Sequence, residues 1–382
     1  MDKKLSCIHL GHKHIPSREG GIEIVVEEIA SRMVERGLTV TCLNRGGRSS
    51  GEKLTAGRRL KEYRGIKLKA VLTINTRRLA AITASLSGAI FATFSKADIV
   101  HFHAEGPCAM LWLPKISGKR CVATIHGLDH QRAKWGKFAQ RYIMAGEKCA
   151  VKYADEIIVL SENMQQYFLK KYQRETKFIP NGISCPVRKE VNIIKEWGLK
   201  KDEYILYLGR LVPEKGIQYL IEAFSKVKTD KKLVIAGSDS YTGGFGNELK
   251  QLAKKDDRII FTGFVSEEVS ELYSNAYLYV LPSDVEGMSI SLLEAMSYGN
   301  CCLVSDILEC TEVVEDKALT FSKGDVAELQ RKIQMICDRK VQVEKYRVMA
   351  KDYICNKYNW DEVVDETLAL YKGGEASGKS EA

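Results

Sequence analysis

The sequence predicts an α/β protein of two Rossmann-like domains facing across an interdomain cleft. Short apolar runs alternate with amphipathic stretches, the whole pattern occurs twice, and 382 residues are too many for one ordinary core. Hydrophobic residues at 45% and charged residues at 28% fit a soluble globular chain and argue against disorder.

In the first half, SCIHL (6–10), TVTCL (39–43), DIVHFHA (98–104), RCVATIHG (120–127), EIIVLS (156–161) and KFIPNG (177–182) read as buried parallel strands. Between the first two lies GIEIVVEEIASRMVERG (21–37), which puts Ile22, Val25, Val26, Ile29, Met33 and Val34 on one helical face before a glycine stop. The run LAAITASLSGAIFATFS (79–95) is too short and too rich in Ser and Thr to span a bilayer, and reads as a buried or membrane-surface helix. The second half repeats the plan with strands at 203–210, 232–238, 258–264, 276–283 and 301–306. Helices are expected around 216–228, 245–255, 266–275 and 289–298. The expected domains are therefore 1–185 and 186–360. A C-terminal helix in 361–382 that packs back on the first domain and a frayed tail complete the chain.

Net charge is +9 but unevenly spread: residues 1–180 carry 31 Lys and Arg against 16 Asp and Glu. Eleven basic residues fall between Arg45 and Arg78 (Arg45, Arg48, Lys53, Arg58, Arg59, Lys61, Arg64, Lys67, Lys69, Arg77 and Arg78). They form either a solvated loop and helix face or a patch that meets anionic lipid head groups. No aromatic interleaving marks a nucleic-acid site, so no nucleic acid is expected as a partner. The eleven Cys lack paired spacing, and several lie inside apolar runs. That usage fits thiols in a reducing cytosol better than a disulfide scaffold. The start, MDKKLSCIHLGHKH, lacks the apolar core of a signal peptide, so a cytoplasmic location is expected.

In α/β sheets of this kind ligands sit beyond the carboxyl ends of the strands, so the loops there are where chemistry is sought. The loop after SCIHL lacks G-x-G-x-x-G, which removes the usual dinucleotide fingerprint. Gly20 and Gly21 open the long helix instead, either admitting a phosphate to its N-terminus or making a tight turn. Strand YILYLGR ends on Arg210, and LVPEKG places Lys215 at the start of the next helix, a pair suited to a diphosphate. In SDVEGMSISLLEAMSYGN (283–300), Glu286 falls in a loop and Glu294 in the following helix. Gly287, Met288 and Ser289 would aim backbone N–H groups at an anion, with the carboxylates accepting bonds from hydroxyls on either side. Acidic residues near a helix start have the dipole as an alternative reason.

These segments, with GGIEIVVEEIASRMVERG, TIHGLDHQRAKWGKFAQRY, ADEIIVLSENM, FIPNGI and YLGRLVPEKGI, resemble in order the retaining GT-B glycosyltransferases of family four. The segment HGLDHQRAKWGKF is similar to a bacterial polysaccharide branch that includes rhamnosyltransferases acting on lipid-linked GlcNAc or glucose. The resemblance implies a UDP-, dTDP- or GDP-linked sugar donor, a saccharide or polyprenyl-diphosphate-linked acceptor, and no metal or other cofactor. By the same resemblance Glu294 holds the ribose hydroxyls, Glu286 lies beside the donor sugar, and Arg210 and Lys215 neutralise the diphosphate. Gly20 and Gly21 let the first domain close on that diphosphate, and His126 reaches the sugar. It further implies that the first domain faces the acceptor, at the inner membrane surface. Met288 and Ser289 depart from the family pattern of a bulkier aromatic or Leu followed by Gly or Pro, which leaves the donor open. Two alternatives remain: a nucleotide-sugar epimerase or other Rossmann-type enzyme, and a catalytically inactive transferase-like binding protein.

Overall fold

Parallel strands buried at almost every position organise both halves of the chain. The computed structural model describes residues 4–46, 54–55, 58–76, 79–131, 136–239, 244–338 and 340–373. They form two units, one made of the chain up to Gly182 and again from Trp360, the other of Ile183–Asn359.

The first unit begins with β1 (Ser6–Leu10), α1 (Gly21–Glu35), β2 (Thr39–Arg45), the two-residue strands β3 (Leu54–Thr55), β4 (Arg58–Arg59) and β5 (Glu62–Tyr63), and β6 (Ile66–Val71). It continues through α2 (Ala80–Phe94), β7 (Ile99–His103), α3 (Trp112–Ile116), β8 (Arg120–Ile125), α4 (Lys137–Tyr153), β9 (Glu156–Val159), α5 (Glu162–Tyr172) and β10 (Lys177–Phe178). Eight of these strands form one sheet in the order β10-β9-β8-β7-β1-β2-β6-β5. One face carries Ile8, Leu10, Leu43, Val100, Phe102, Cys121, Ala123, Ile125, Ile157 and Val159, packed with Ala89 of α2, Ala150 of α4 and Phe168 of α5. Each fully buried side chain such as Phe102 or Phe168 contributes ~2–3 kcal/mol. The opposite face buries Cys7, His9, Cys42, His101, His103 and Thr124.

The basic segment 45–78 departs from the loop or helix face expected of it. Lys67 and Lys69 stand in β6, which pairs parallel with β2 and buries Ile66 and Val71 at its two ends. Its hairpin with β5 turns on Arg64 (φ +50°) and Gly65 (φ +74°), the two positive values of a type I′ turn. A side chain at Gly65 would also meet Val34 Cγ1 at 2.7 Å. Charge density hid the strand, because its outward positions are Lys. Arg48, Lys53, Arg77 and Arg78 lie outside the described residues, as do positions 132–135 of the HGLDHQRAKWGKF segment and 374–382 of the expected tail.

The run 79–95 contains α2, whose small residues Ala84, Ser85, Gly88, Ala89 and Ala92 are buried, whereas Leu86, Ile90 and Phe94 are exposed. No helix among the described residues is long and apolar enough to cross a membrane.

The second unit contains β11 (Tyr204–Leu208), α6 (Ile217–Phe224), β12 (Lys232–Ala236), α7 (Phe245–Ala253), β13 (Ile259–Gly263), α8 (Val269–Asn275) and β14 (Leu278–Leu281). After these come α9 (Ile290–Ser297), β15 (Cys302–Ser305), α10 (Leu308–Val314), β16 (Leu319–Phe321), α11 (Val326–Asp338) and α12 (Lys340–Lys357). Its six parallel strands are ordered β13-β12-β11-β14-β15-β16 around a core that includes Ile205, Tyr207, Leu220, Phe224, Leu233, Ile235 and Leu303. The last helix, α13 (Trp360–Tyr371), belongs to the first unit and packs beside α1, where Arg36 pairs with Asp361 and Asp365.

The chain passes between units after Gly182 and after Asn359, and the two passages run side by side, with Ile183 bridged to Asn359. There Cys185 and Cys355 form a disulfide, with Cα atoms 5.8 Å apart. This corrects the expectation of thiols throughout. The two residues are 170 positions apart, so only the folded chain brings them together. The other nine Cys are free, and seven of them are buried.

Candidate active site

In the second sheet the strand order reverses between β11 and β14, and a ligand crevice is expected beyond such a switch point. The loops after these two strands carry most of the residues singled out from the sequence. Lys215 Nζ lies 2.5 Å from Glu286 Oε1, and Ser283 Oγ donates to the same oxygen at 2.6 Å. All three side chains are buried. The loops meet at backbone level: Gly216 has φ +66°, and a Cβ there would fall 1.9 Å from Pro282 O. Asp284 N donates to Glu214 O at 2.9 Å, and Tyr219 OH donates to Asp284 Oδ2 at 3.1 Å. Burial pushes the Asp284 carboxyl up.

Arg210 stands two residues past the end of β11 and is half-buried. Its backbone carbonyl accepts from Tyr207 OH at 2.9 Å, while its guanidinium makes no hydrogen bond or ion pair among the described residues. Met288 and Ser289 are buried at the start of α9, where Ser289 Oγ lies 3.1 Å from Ser291 Oγ. Glu294 is one turn into α9 and partly exposed. Burial raises the Tyr273 hydroxyl, and the Glu294 charge beside it raises it further. Thus a fixed cation, an unpaired guanidinium and two carboxylates share one end of this sheet. Ser283, which anchors Glu286, was not singled out by its sequence position.

The first sheet reverses between β1 and β7. Gly20 caps α1 in extended backbone (φ −157°), and Gly21 is the first helical residue. A Cβ at Gly20 would come 2.4 Å from Glu23 Oε2, so the first-turn carboxylate lies against this glycine pair. Burial would raise Glu23, but the Lys13 N–H bond at 2.9 Å and the Lys13 charge outweigh it and hold the carboxyl low. His126 stands just past β8, with Nε2 3.2 Å from His103 Nδ1. Burial lowers the His126 pKa to about 4, so this imidazole is neutral at pH 7.

A second buried polar group lies in the same unit and was not foreseen. Glu105, after β7, accepts from Asp129 N at 2.7 Å and lies 3.3 Å from His130 Nδ1. Glu147 of α4 accepts from Lys171 Nζ at 2.9 Å and from Tyr167 OH at 3.1 Å. Burial, with a hydrogen bond to Glu147, holds Glu105 protonated. The protein's seven histidines all fall between His9 and His130, within strands of the first sheet or in the loops after them, and that clustering was the available signal.

Two Rossmann-like units with parallel sheets define the GT-B class of glycosyltransferase folds, and solved structures of that class superpose on this chain. Sucrose-phosphate synthase from Thermosynechococcus elongatus matches with a TM-score of 0.79 at 20% identity, over 97% of this chain and 99% of that one. Anabaena HepE in complex with UDP and glucose matches with a TM-score of 0.80 at 17% identity, over 97% and 100%. Residues 19–185 match the family described as Glycosyltransferase Family 4, and residues 190–356 match Glycosyl transferases group 1. The chain belongs to this group 1 and family 4 type of glycosyltransferase. An uncharacterized glycosyltransferase of Methanocaldococcus jannaschii is 27% identical over 308 residues, 72% of this chain and 75% of the relative.

Proposed function

We propose that the protein transfers a hexosyl or deoxyhexosyl group, with retention, from a nucleoside-diphosphate sugar to a saccharide or lipid-linked saccharide of a cell-surface polysaccharide. The observation that carries this reading is the Lys215–Glu286 pair at the switch point of the second sheet, with the Arg210 guanidinium beside the same strand end. In this reading Arg210 and Lys215 hold the diphosphate, and Gly287, Met288 and Ser289 approach it with backbone. Glu294 accepts from the ribose hydroxyls, Glu286 lies at the sugar, and His126 addresses the sugar. Gly20 and Gly21 bring the α1 N-terminus to the diphosphate.

The bond from the anomeric carbon to the diphosphate breaks with its electron pair leaving on the phosphate oxygen. The acceptor hydroxyl attacks the same face, and its proton passes to that oxygen. Charge develops on the leaving group, so preorganised cations supply the main stabilisation, a single comparable donor being worth about 3 kcal/mol. Two side-chain cations at the diphosphate make the transfer metal-independent in this reading.

Rhamnose is the sugar favoured by the HGLDHQRAKWGKF segment, and UDP-linked donors are tried first because Anabaena HepE holds UDP and glucose. Purified protein is incubated with UDP-, dTDP- and GDP-sugars and a polyprenyl-diphosphate-linked acceptor, with and without EDTA. Nucleoside diphosphate release that persists in EDTA, with an anomeric configuration retained in the product, is expected. Interconversion of the donor without release would favour an epimerase, and binding without turnover an inactive relative.

Peripheral attachment to an anionic membrane belongs to the same reading. Leu86, Ile90 and Phe94 of α2 and Trp112 and Ile116 of α3 are exposed, and Lys69 lies 4.1 Å over the Phe91 ring on the neighbouring α2 turn. Apolar side chains bordered by lysines suit a bilayer interface. Flotation with liposomes should rise with anionic lipid content, and flotation indifferent to that content would remove this part of the reading.

A further inference from the structure

Behind His126, the transfer chemistry leaves unused a row of buried groups on one face of the first sheet. Strand β1 presents Cys7 and His9, β7 presents His101 and His103, and β8 presents Thr124 with His126 two residues on. In register, His9 is level with His101, and His103 with Thr124. Four of these side chains are joined in series. Cys7 Sγ lies 3.6 Å from His9 Nε2, His9 Nδ1 lies 3.0 Å from His103 Nε2, and His103 Nδ1 lies 3.2 Å from His126 Nε2. His101 stacks on His103 with ring centroids 4.2 Å apart but is held separately, by Tyr371 OH at 2.6 Å and Thr124 Oγ1 at 2.7 Å. His126 Nδ1 is the one ring nitrogen of the series with no partner among the described residues.

Burial keeps every imidazole of the series neutral and keeps the thiol protonated. A neutral imidazole carries one N–H and one acceptor nitrogen, so the bond at one nitrogen dictates the state of the other. The series therefore has only two complete proton orders, and they run in opposite directions. If the thiol donates to His9, each following ring donates onward, and His126 is left with Nδ1–H. In the reverse order His9 donates to sulfur, a weak acceptor, and the thiol proton has no acceptor. Each order leaves one donor unmet within the series: the first leaves Nδ1–H of the half-buried His126, whereas the reverse strands the S–H of the fully buried Cys7 and spends an imidazole N–H on sulfur, so the first is the less costly.

We propose that Cys7, through His9 and His103, fixes the tautomer of His126 so that the ring presents Nδ1–H outward as a hydrogen-bond donor. The inference rests on the reading of His126 as the group that addresses the donor sugar. It deepens that reading: a donor edge bonds a sugar or phosphate oxygen and takes no proton from the acceptor hydroxyl. Cys7, His9 and His103 are positioning residues; only His126 touches substrate.

The test is a long-range proton–nitrogen correlation spectrum of the full chain labelled with ¹⁵N-histidine, with His126 assigned by its loss in His126→Gln. The wild type should show His126 as the Nδ1–H tautomer. Cys7→Ser, which keeps a hydroxyl donor, should preserve it, and Cys7→Ala should convert it to a mixture with Nε2–H. An Nε2–H tautomer in the wild type, or an unchanged tautomer in Cys7→Ala, would overturn the proposal. In the transfer assay Cys7→Ala should lower kcat several-fold at unchanged KM, with recovery in Cys7→Ser. Absence of transfer by the wild type would overturn the functional reading and leave the tautomer measurement standing.

Discussion

At the residue scale, Glu286 is the position on which the active-site reading turns, since its Oε1 meets both Lys215 and Ser283. Glu286→Gln keeps the shape and an acceptor oxygen but removes the charge. Turnover should fall by ~100-fold or more, measured below the melting temperature, which itself drops because the buried Lys215 ammonium loses its carboxylate; wild-type turnover would remove Glu286 from the site. Lys215→Ala strands a buried carboxylate and should cost about 3 kcal/mol of stability in chemical unfolding. Part of that cost should return in the Lys215→Ala, Glu286→Gln double variant, and simple additivity would show that the pair is not coupled. Glu105 sets a pH dependence of opposite sign to the usual carboxylate. Its folded pKa is raised, so above the ordinary carboxylate range folding must take up a proton that the unfolded chain has lost. Stability should therefore decline as pH rises from that range toward the folded pKa, with a slope of at most about 1.4 kcal/mol per pH unit. Glu105→Gln should flatten that decline in melting curves taken across pH.

At the element scale, the first sheet is covered on its polar face by a helix that arrives last in the chain. Tyr371 of α13 is buried and bonds His101 Nδ1. Tyr371→Phe keeps the ring packing and loses one buried hydrogen bond, so it should cost ~1–2 kcal/mol in chemical unfolding. An unchanged midpoint would mean that water or another group serves His101 equally well. Element types were legible where one rule acted alone. The 21–37 helix shows as α1, and the fully buried strands around 99–103 and 278–281 appear close to their expected places. The strand β6 was obscured because alternating lysines looked like surface charge, and β16, α10, α11 and α12 lie in a stretch where no strong motif drew attention.

At the scale of the whole molecule, the second unit is closed on itself by the Cys185–Cys355 disulfide near its first and last residues. A cross-link over so long a loop constrains the unfolded chain and is worth ~2–4 kcal/mol. Reductant should lower the unfolding midpoint of the wild type and leave Cys355→Ser unmoved. Equal midpoints with and without reductant would show that the bond does not form in solution.

The sequence by itself determined the two-fold αβ plan, the loops that carry Arg210, Lys215 and Glu286 and the helix that carries Glu294, because strand patterning and helix stops are local properties of adjacent residues. Only the tertiary structure decided which distant groups become partners. Lys215 meets Glu286 across 71 positions, His9 meets His103 across 94, and Cys185 meets Cys355 across 170. Parallel strands align residues by sheet register and strand order, and neither is written in the spacing of one segment.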